Sequence, residues 1–574
     1  MAALPLMTYY DDLEWLQQIS QDKFAFYRRG ERWDPTARSG PASLINIPIA
    51  NPDDTNDLAR AAAFQTARDA RVASGAERYR LRRRGLAAFR DITDQEKKQN
   101  INELTGLMWN FQNVLKFSRT LGWGGMSLAT LWLWKDPATG RQKRAVLKNA
   151  LREGDTRRRN RMALNNERLN LRFLARAKHI IQRFKVANFI GAPLAGDIDD
   201  RGGVWLEWAR RGDLDEVLGK VAEAVRVAQA GERRSTRNWN QDADLLPMLV
   251  MWQIFDCLTK ACVAMAFPPR LQEVPLQGSQ FPEDGDPLPE VIPLFPLAPY
   301  NVQYDNIHFD LDPGNVFIDE TDNDHQGIAL FKVADFGLAS TSRETRRVDS
   351  AAPPAPDSLP FPDGVSKYIW EVRAKGKHGY YLPEQFTPDW DSVRLWSDPF
   401  TDGITDINGN LEHVAANYGA WSNIWQVGQI MWCCITLLNP NRPPIPQPMP
   451  TAPGPAASRP RTYGADVLDP IYVNRYGQRM CELVARCLMH KPADRPSLQD
   501  LQAELDEIRP PGPITPLTRA WVRKYIRDAP AARARLVDFN FRPEFNAAGA
   551  RNRLYWLKPR DANDNPTRRF TPFR

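Results

Sequence analysis

Cysteine and histidine are both scarce here, with six of each among 574 residues. Cys257, Cys262, Cys433, Cys434, Cys481 and Cys487 all fall in apolar, helix-like runs, with no Cys-x-x-Cys pair and no histidine cluster nearby in sequence. That spacing argues against a disulfide framework and against a zinc site, and reads as buried thiols in a reducing compartment. Long apolar stretches are missing as well. No segment approaches the roughly 20 uninterrupted apolar residues a membrane span needs. The first residues carry Asp11, Asp12 and Glu14 where a secretory signal needs a positive flank and an apolar run. Nor is there charge of one sign, since 76 Lys and Arg face 69 Asp and Glu for a formal +7. An excess this small implies no specific nucleic-acid partner. The expectation is a soluble protein of the cytoplasm or nucleus, off the membrane and monomeric by default.

Proline, in contrast, is abundant. Forty-seven prolines are too many for one compact chain, so long irregular insertions are expected. They concentrate at about 268–300, 351–363 and 438–462. The length exceeds one ordinary domain of roughly 100–200 residues. Residues 1–116 read as an N-terminal extension, irregular at first and then helical and Ala/Arg-rich from Thr55 to about Leu115. Its arginines, interleaved with Asp and Glu, suit either a basic patch or a solvated helix face. From about Phe117, SLATLWLW and RQKRAVLKNA flank a Lys-Asp-Pro-Ala-Thr-Gly turn and predict a hairpin. A basic helix is predicted over Arg157–Ile181, and VWLEWA is extended. Apolar helical runs follow (LLPMLVMWQIFDCLTKACVAMAF, NIWQVGQIMWCCITLL, RMCELVARCLM). Residues 509–574 read as a basic, Pro-rich tail, disordered in part or laid over the surface.

The chemistry concentrates in His308-Phe309-Asp310-Leu311-Asp312-Pro313-Gly314-Asn315, followed about twenty residues later by Asp335-Phe336-Gly337-Leu338. The pair resembles the catalytic loop and metal-binding DFG turn of the eukaryotic protein kinase superfamily, in a spelling similar to kinase-like proteins of filamentous fungi. By that resemblance Asp310 orients the attacking hydroxyl, and Asn315 and Asp335 hold Mg²⁺, with Mn²⁺ able to substitute. His308, Phe336 and Gly337 support them. Gly122, Gly124, Gly125, Ser127 and Ala129 resemble the glycine-rich phosphate loop, with Ser127 replacing its third glycine. Ala145-Val146-Leu147-Lys148 resembles the VAIK strand, which puts Lys148 on the α/β-phosphates of ATP and makes Ala145 an ATP-binding residue. Glu167 is the candidate ion-pair partner of Lys148, with Glu153 the weaker alternative. Leu206 would be the gatekeeper, the backbone at Glu207 and Ala209 would read adenine, and Asp213 would bind the ribose. Glu384, in Leu-Pro-Glu, and Arg495 resemble the buried pair that closes the activation segment, and Asn423 stands where a helix-start aspartate is usual. The resemblance covers about 117–508. It implies an α+β bilobal kinase fold, with a small β-rich N-lobe (about 117–206) and a large helical C-lobe (about 207–508), an N-terminal helical extension and Pro-rich insertions. It implies an ATP-dependent Ser/Thr kinase acting on protein substrates.

Two departures qualify that reading. Phe309 replaces the arginine that usually clasps a phosphorylated activation segment, so loop phosphorylation is not expected to be the main switch. Asp312 replaces a lysine near the transferred phosphoryl group, where a carboxylate repels phosphate unless neutralised. Lys377 falls where the family has a threonine that contacts this loop. Either Lys377 reaches in, pairs with Asp312 and supplies the missing charge, or the two substitutions are independent. The activity classes left open are an active kinase, an ATP-binding pseudokinase scaffold, and a kinase-fold enzyme for small molecules. The complete set Lys148, Glu167, Asp310, Asn315 and Asp335 favours the first.

Overall fold

The structure is a computed structural model and describes, with short gaps inside some ranges, residues 115–150, 156–183, 203–232, 245–272, 283–293, 303–341, 375–386, 414–440, 446–527, 541–544 and 553–556. The helical pattern over 55–114, together with Gly124, Gly125, Glu153 and the proline-rich stretch 351–363, lies outside the described residues. The chain forms two compact units, each with its own core.

The smaller unit is built on a four-stranded antiparallel sheet in the order β1 (Leu115–Trp123), β2 (Ser127–Lys135), β3 (Gln142–Ala150) and β4 (Gly203–Glu207). Its strands are rich in Leu and Trp, whose bulk suits a half-buried pleated surface. Trp132 is the centre of this core, meeting Phe117 and Trp205 edge-on at ring separations of 5.5 and 6.0 Å. The β2–β3 register runs unbroken from Ser127↔Ala150 to Lys135↔Gln142, the hairpin expected from the sequence. β1 carries irregularities between Phe117 and Arg119 and between Thr120 and Gly122.

The larger unit is mainly helical. Helix α1 (Thr156–Phe173) contributes its C-terminal half from Asn166 onward. It stops eight residues short of the sequence expectation, Ile181, and the reason is local. Arg176 takes a left-handed backbone (φ 69°), and the Gln182 amide donates to the carbonyls of Ala177 (2.7 Å) and Ile180 (2.9 Å). Both replace continued helix. Helix α2 is Leu214–Glu232 and α3 is Met248–Ala266. The latter is long and apolar enough to cross a membrane by composition, yet it is buried along nearly its whole length inside this unit. Its charged pair, Asp256 and Lys260, closes at 2.8 Å one turn apart. Against it pack α4 (Ala420–Thr436) and α6 (Leu498–Ile508), while α5 (Gln478–Cys487) packs on α4, and the Trp252 indole donates to the Leu505 carbonyl at 2.7 Å.

The tail expectation needs correcting. Thr515 caps and Pro516 opens α7 (Pro516–Val522), and Trp521, Tyr525 and Ile526 are buried, so the larger unit continues past 509. Further on, Phe541–Glu544 pairs antiparallel with Arg553–Trp556. All six cysteines are free and buried, as the sequence implied.

Candidate functional site

Short strands arrange the site in the larger unit. β5 (Asn306–Ile307) pairs with β8 (Ser340–Thr341), and β6 (Val316–Asp319) pairs with β7 (Leu330–Val333) in the register Val316↔Val333. The segment entering β6 and the segment leaving β7 therefore run side by side, and Ala334 N–H donates to the Asn315 carbonyl at 2.9 Å. This geometry brings Asp310, Asn315 and Asp335 into one neighbourhood. Phe309 and Asp335 both have φ of 64°. For residues other than glycine that backbone costs on the order of 1–3 kcal/mol each and persists only where the surroundings enforce it.

His308 is fully buried and supports the loop from within. Its Nε2 lies 2.9 Å from the Ala334 carbonyl, its Nδ1 accepts the Asp310 N–H at 3.3 Å, and its ring sits 4.8 Å from that of Phe336. The two contacts specify a neutral imidazole protonated at Nε2. Asn423 in α4 accepts the His308 N–H at 3.0 Å through its Oδ1 and donates to the Asn306 carbonyl at 2.8 Å through Nδ2. An aspartate could make only the first bond. Gly337 is tied to α1, because the Asn166 amide donates to its carbonyl (3.1 Å) and to that of Ala339 (2.7 Å). Asn166 was not singled out in the sequence; its only signal was a second asparagine, Asn170, one turn on.

Asp310 is half-buried, and the Asn315 amide donates to its carbonyl (2.6 Å) and lies 3.4 Å from its Oδ2. Its Oδ1 is buried without a hydrogen-bond partner. Burial, then repulsion from Asp312 and Asp335, pushes its carboxyl up to about 7, against the opposing pull of Lys377 and Asn315. The unpartnered Asp310 oxygen, with the Asp335 carboxylate and the Asn315 amide near it, offers oxygen donors of the kind a hard cation takes.

Asp312 is nearly inaccessible and doubly held. Its Oδ1 accepts the Gly314 N–H at 2.7 Å, capping the turn Pro313–Asn315, and its Oδ2 accepts from Lys377 Nζ at 2.8 Å. Burial works against the Lys377 charge, but Asp312, then Asp310, outweigh it and raise its pKa. Lys377 reaches the loop because Gly376 lies flat against it: with φ of 108°, a Cβ there would stand 2.5 Å from the Phe309 carbonyl oxygen. Phe309 itself is buried, edge-on to Tyr418 at 5.1 Å.

The structure brings Glu384 and Arg495 together in a bidentate pair (2.8 and 2.9 Å), both side chains fully inaccessible. Ser422 Oγ donates to Glu384 Oε1 at 2.7 Å, and Arg495 also donates to the carbonyls of Met489 and Trp421 at 2.9 and 3.0 Å. Asp213 caps α2, its Oδ1 accepting the Glu216 N–H at 2.8 Å. Burial, with repulsion from Glu216 and Asp215, pushes its carboxyl up to about 6. Ala209 is buried in the same unit.

The remaining candidates lie in the smaller unit. Gly122, Ala129, Lys148 and Val204 occupy one cross-strand row through β1–β4, so Lys148 is flanked by Ala129 and Val204. Ser127 pairs with Ala150 and Glu207 with Ala145. Ala145 itself does not stand beside Lys148. Three residues is an odd step in a strand of period two, so it faces the other side, and Val146 shares the Lys148 face. Glu167 is buried in the larger unit. The ion pair expected with Lys148 is thus not a feature of either unit alone.

No protein-family model matches the chain, and no curated protein matches it. Among solved structures the chain is similar to one from the CAK complex of Chaetomium thermophilum bound to ATP-gamma-S, at 15% identity and a TM-score of 0.37, covering 70% of this chain and 92% of that one. A likeness this slight decides neither fold nor activity.

Proposed function

We propose that the chain is an ATP-dependent protein kinase that transfers the γ-phosphoryl group to Ser or Thr hydroxyls of a protein substrate. One observation carries the reading: Asp310 keeps a buried, unpartnered carboxylate oxygen beside Asn315 and Asp335, on a loop held from behind by His308 and Asn423. Phosphoryl transfer asks mainly for positioning and charge stabilisation, and this loop supplies both. Asp310 would accept the hydroxyl proton as the oxygen attacks. Asn315 and Asp335 are hard oxygen donors and would hold Mg²⁺ or Mn²⁺, which neutralises phosphate charge when bound. Lys377, paired with Asp312, would present a cation where the family uses a lysine on the loop itself. The resemblance assigns the ATP phosphates to Lys148 and the glycine-rich turn, the adenine edge to Glu207 and Ala209, and the ribose to Asp213.

A second reading, an ATP-binding scaffold with little turnover, is favoured by the buried Asp312 carboxylate next to Asp310. The two separate in one assay, in which ³²P transfer from ATP/Mg²⁺ to the chain and to a basic protein substrate is compared with Asp310→Asn and Lys148→Met. Transfer lost in both variants supports the kinase. No transfer from the wild type, with a thermal shift on adding ATP, overturns the kinase in favour of the scaffold.

A further inference from the structure

Cys257, His179 and His325 are distant in sequence but meet in the core of the larger unit, on the side of α3 that packs against β7. Cys257 lies on α3, His179 in the turn after α1, and His325 in the connection between β6 and β7. Their ligand atoms all fall within 4.8 Å of one another, and none of the three residues exceeds 2% exposure. The Nε2 atoms of the two histidines face each other at 3.2 Å. Each ring is oriented from behind by a carboxylate. His179 Nδ1 lies 3.0 Å from Glu290 Oε2, and His325 Nδ1 lies 2.7 Å from Asp322 Oδ1. Each carboxylate also accepts the backbone N–H of its own histidine, at 2.8 Å.

Those contacts fix the tautomers. A carboxylate behind Nδ1 accepts a hydrogen bond from the N–H there and holds the ring proton on Nδ1, leaving each Nε2 with a lone pair. Two lone pairs aimed at each other at 3.2 Å repel unless a cation sits between them. The sulfur is prepared in the same sense, because the Gln253 amide donates to Cys257 Sγ at 3.3 Å, so the sulfur acts as an acceptor. In a tetrahedral zinc site with Zn–N of about 2.0–2.1 Å, two imidazole nitrogens stand ~3.3 Å apart. The observed separation of 3.2 Å is that spacing.

We propose that His179, His325 and Cys257 form a binding site for a divalent transition-metal ion of the zinc class, with Glu290 and Asp322 as the carboxylates that orient the ligands. Imidazole and thiolate are the donors such ions prefer over Mg²⁺ or Ca²⁺. The site is separate from the Asp310 loop and does not depend on the kinase reading. Its burial suits an ion that ties α3, the turn after α1 and the β6–β7 connection together rather than one that meets substrate. Three protein ligands leave one coordination position for a small ligand. The alternative occupant of this space is a proton. In that case burial pushes the thiol up while His179 and His325 draw it down to about 6, giving a thiolate–imidazolium cluster with no ion.

Metal analysis of the full-length chain, expressed with added Zn²⁺ and desalted, should find about one zinc per chain. Cys257→Ala should lose that equivalent, and Cys262→Ala, on the same helix, should keep it. Should Cys257→Ala fail to fold, the wild type answers alone: stripped with a chelator and refilled with Co²⁺, it should gain thiolate-to-cobalt charge-transfer absorption together with tetrahedral d–d bands. A wild type that carries no zinc and gives no such absorption with Co²⁺ overturns the site in favour of the protonated cluster. Full zinc retention in folded Cys257→Ala also overturns it.

Discussion

Burial raises the Asp310 carboxyl, Asp312 two residues away adds to that rise, and Lys377 pulls it back. If Lys377 stands in for a loop lysine, its charge matters more than its contact area. Lys377→Ala should then lower kcat on the order of 100-fold, the scale of losing one preorganised charge donor. Adding Asp312→Lys should restore most of it, because the cation returns from the other side of the pair. Kinetics on the two single variants and the double variant measure the coupling, and additive effects would sink the idea. Asp213 offers a second test. Its folded pKa, about 6, lies above the usual carboxylate value of 3.8, so the protonated form is favoured by folding. The associated stability is fully present below pH 4 and lost as pH rises towards 6. Asp213→Asn keeps an oxygen for the Glu216 N–H without the charge. It should match the wild type in urea midpoint below pH 4 and exceed it above pH 6; a constant difference across that range would refute the linkage. At this scale the sequence was partly legible. Asp310, Asn315 and Asp335 were read from their resemblance to kinase motifs, and the Lys377–Asp312 contact was one of the two alternatives that resemblance left open. Ala145 was read from its place in the VAIK-like motif, and strand period puts it on the face opposite Lys148. The histidines around Cys257 were invisible, because only tertiary folding brings such distant segments together.

At the scale of elements, the first turn of α4 is a junction. Trp421 lends its carbonyl to Arg495, Ser422 its hydroxyl to Glu384, and Asn423 its amide to the His308 N–H and the Asn306 carbonyl. One helix end thereby fixes the catalytic-loop candidate and the segment carrying Glu384 in a common frame. The Glu384–Arg495 pair is wholly buried, and losing one partner strands the other charge. Arg495→Leu should cost about 3–5 kcal/mol, whereas Glu384→Leu with Arg495→Leu should cost less than either single change. Urea midpoints at unchanged m test this, and a double variant that sums the two losses would contradict it. Apolar runs made α3, α4 and α5 legible, since buried helices leave long continuous signals. The end of α1 was not, because a side chain nine residues beyond its observed end, that of Gln182, captures the carbonyls there. Helix α7 was missed because composition outweighed a local signal: Thr515 before Pro516 is a cap followed by a proline at the first helical position.

For the whole molecule, the sequence shift from tryptophan-rich strands to apolar helices corresponds to two compact units with separate cores. Trp132 anchors one, meeting Phe117 and Trp205; Phe255, fully buried on α3, anchors the other. Truncating either aromatic removes its burial and leaves a cavity, at a cost of about 3–5 kcal/mol. Where that cost is felt depends on cooperativity. A unit with its own core opens on its own, so amide protection should fall only in the unit that carries the substitution. Phe255→Ala should therefore speed exchange in α3 and α4 and leave β2 and β3 unchanged, and Trp132→Ala should do the reverse. Hydrogen exchange read by mass spectrometry resolves the two sets of peptides. If either variant lowered protection equally in both, the two cores would be one cooperative structure. A loss at the Asp310 loop could then no longer be assigned to chemistry without first excluding a defect in the strand-rich sheet.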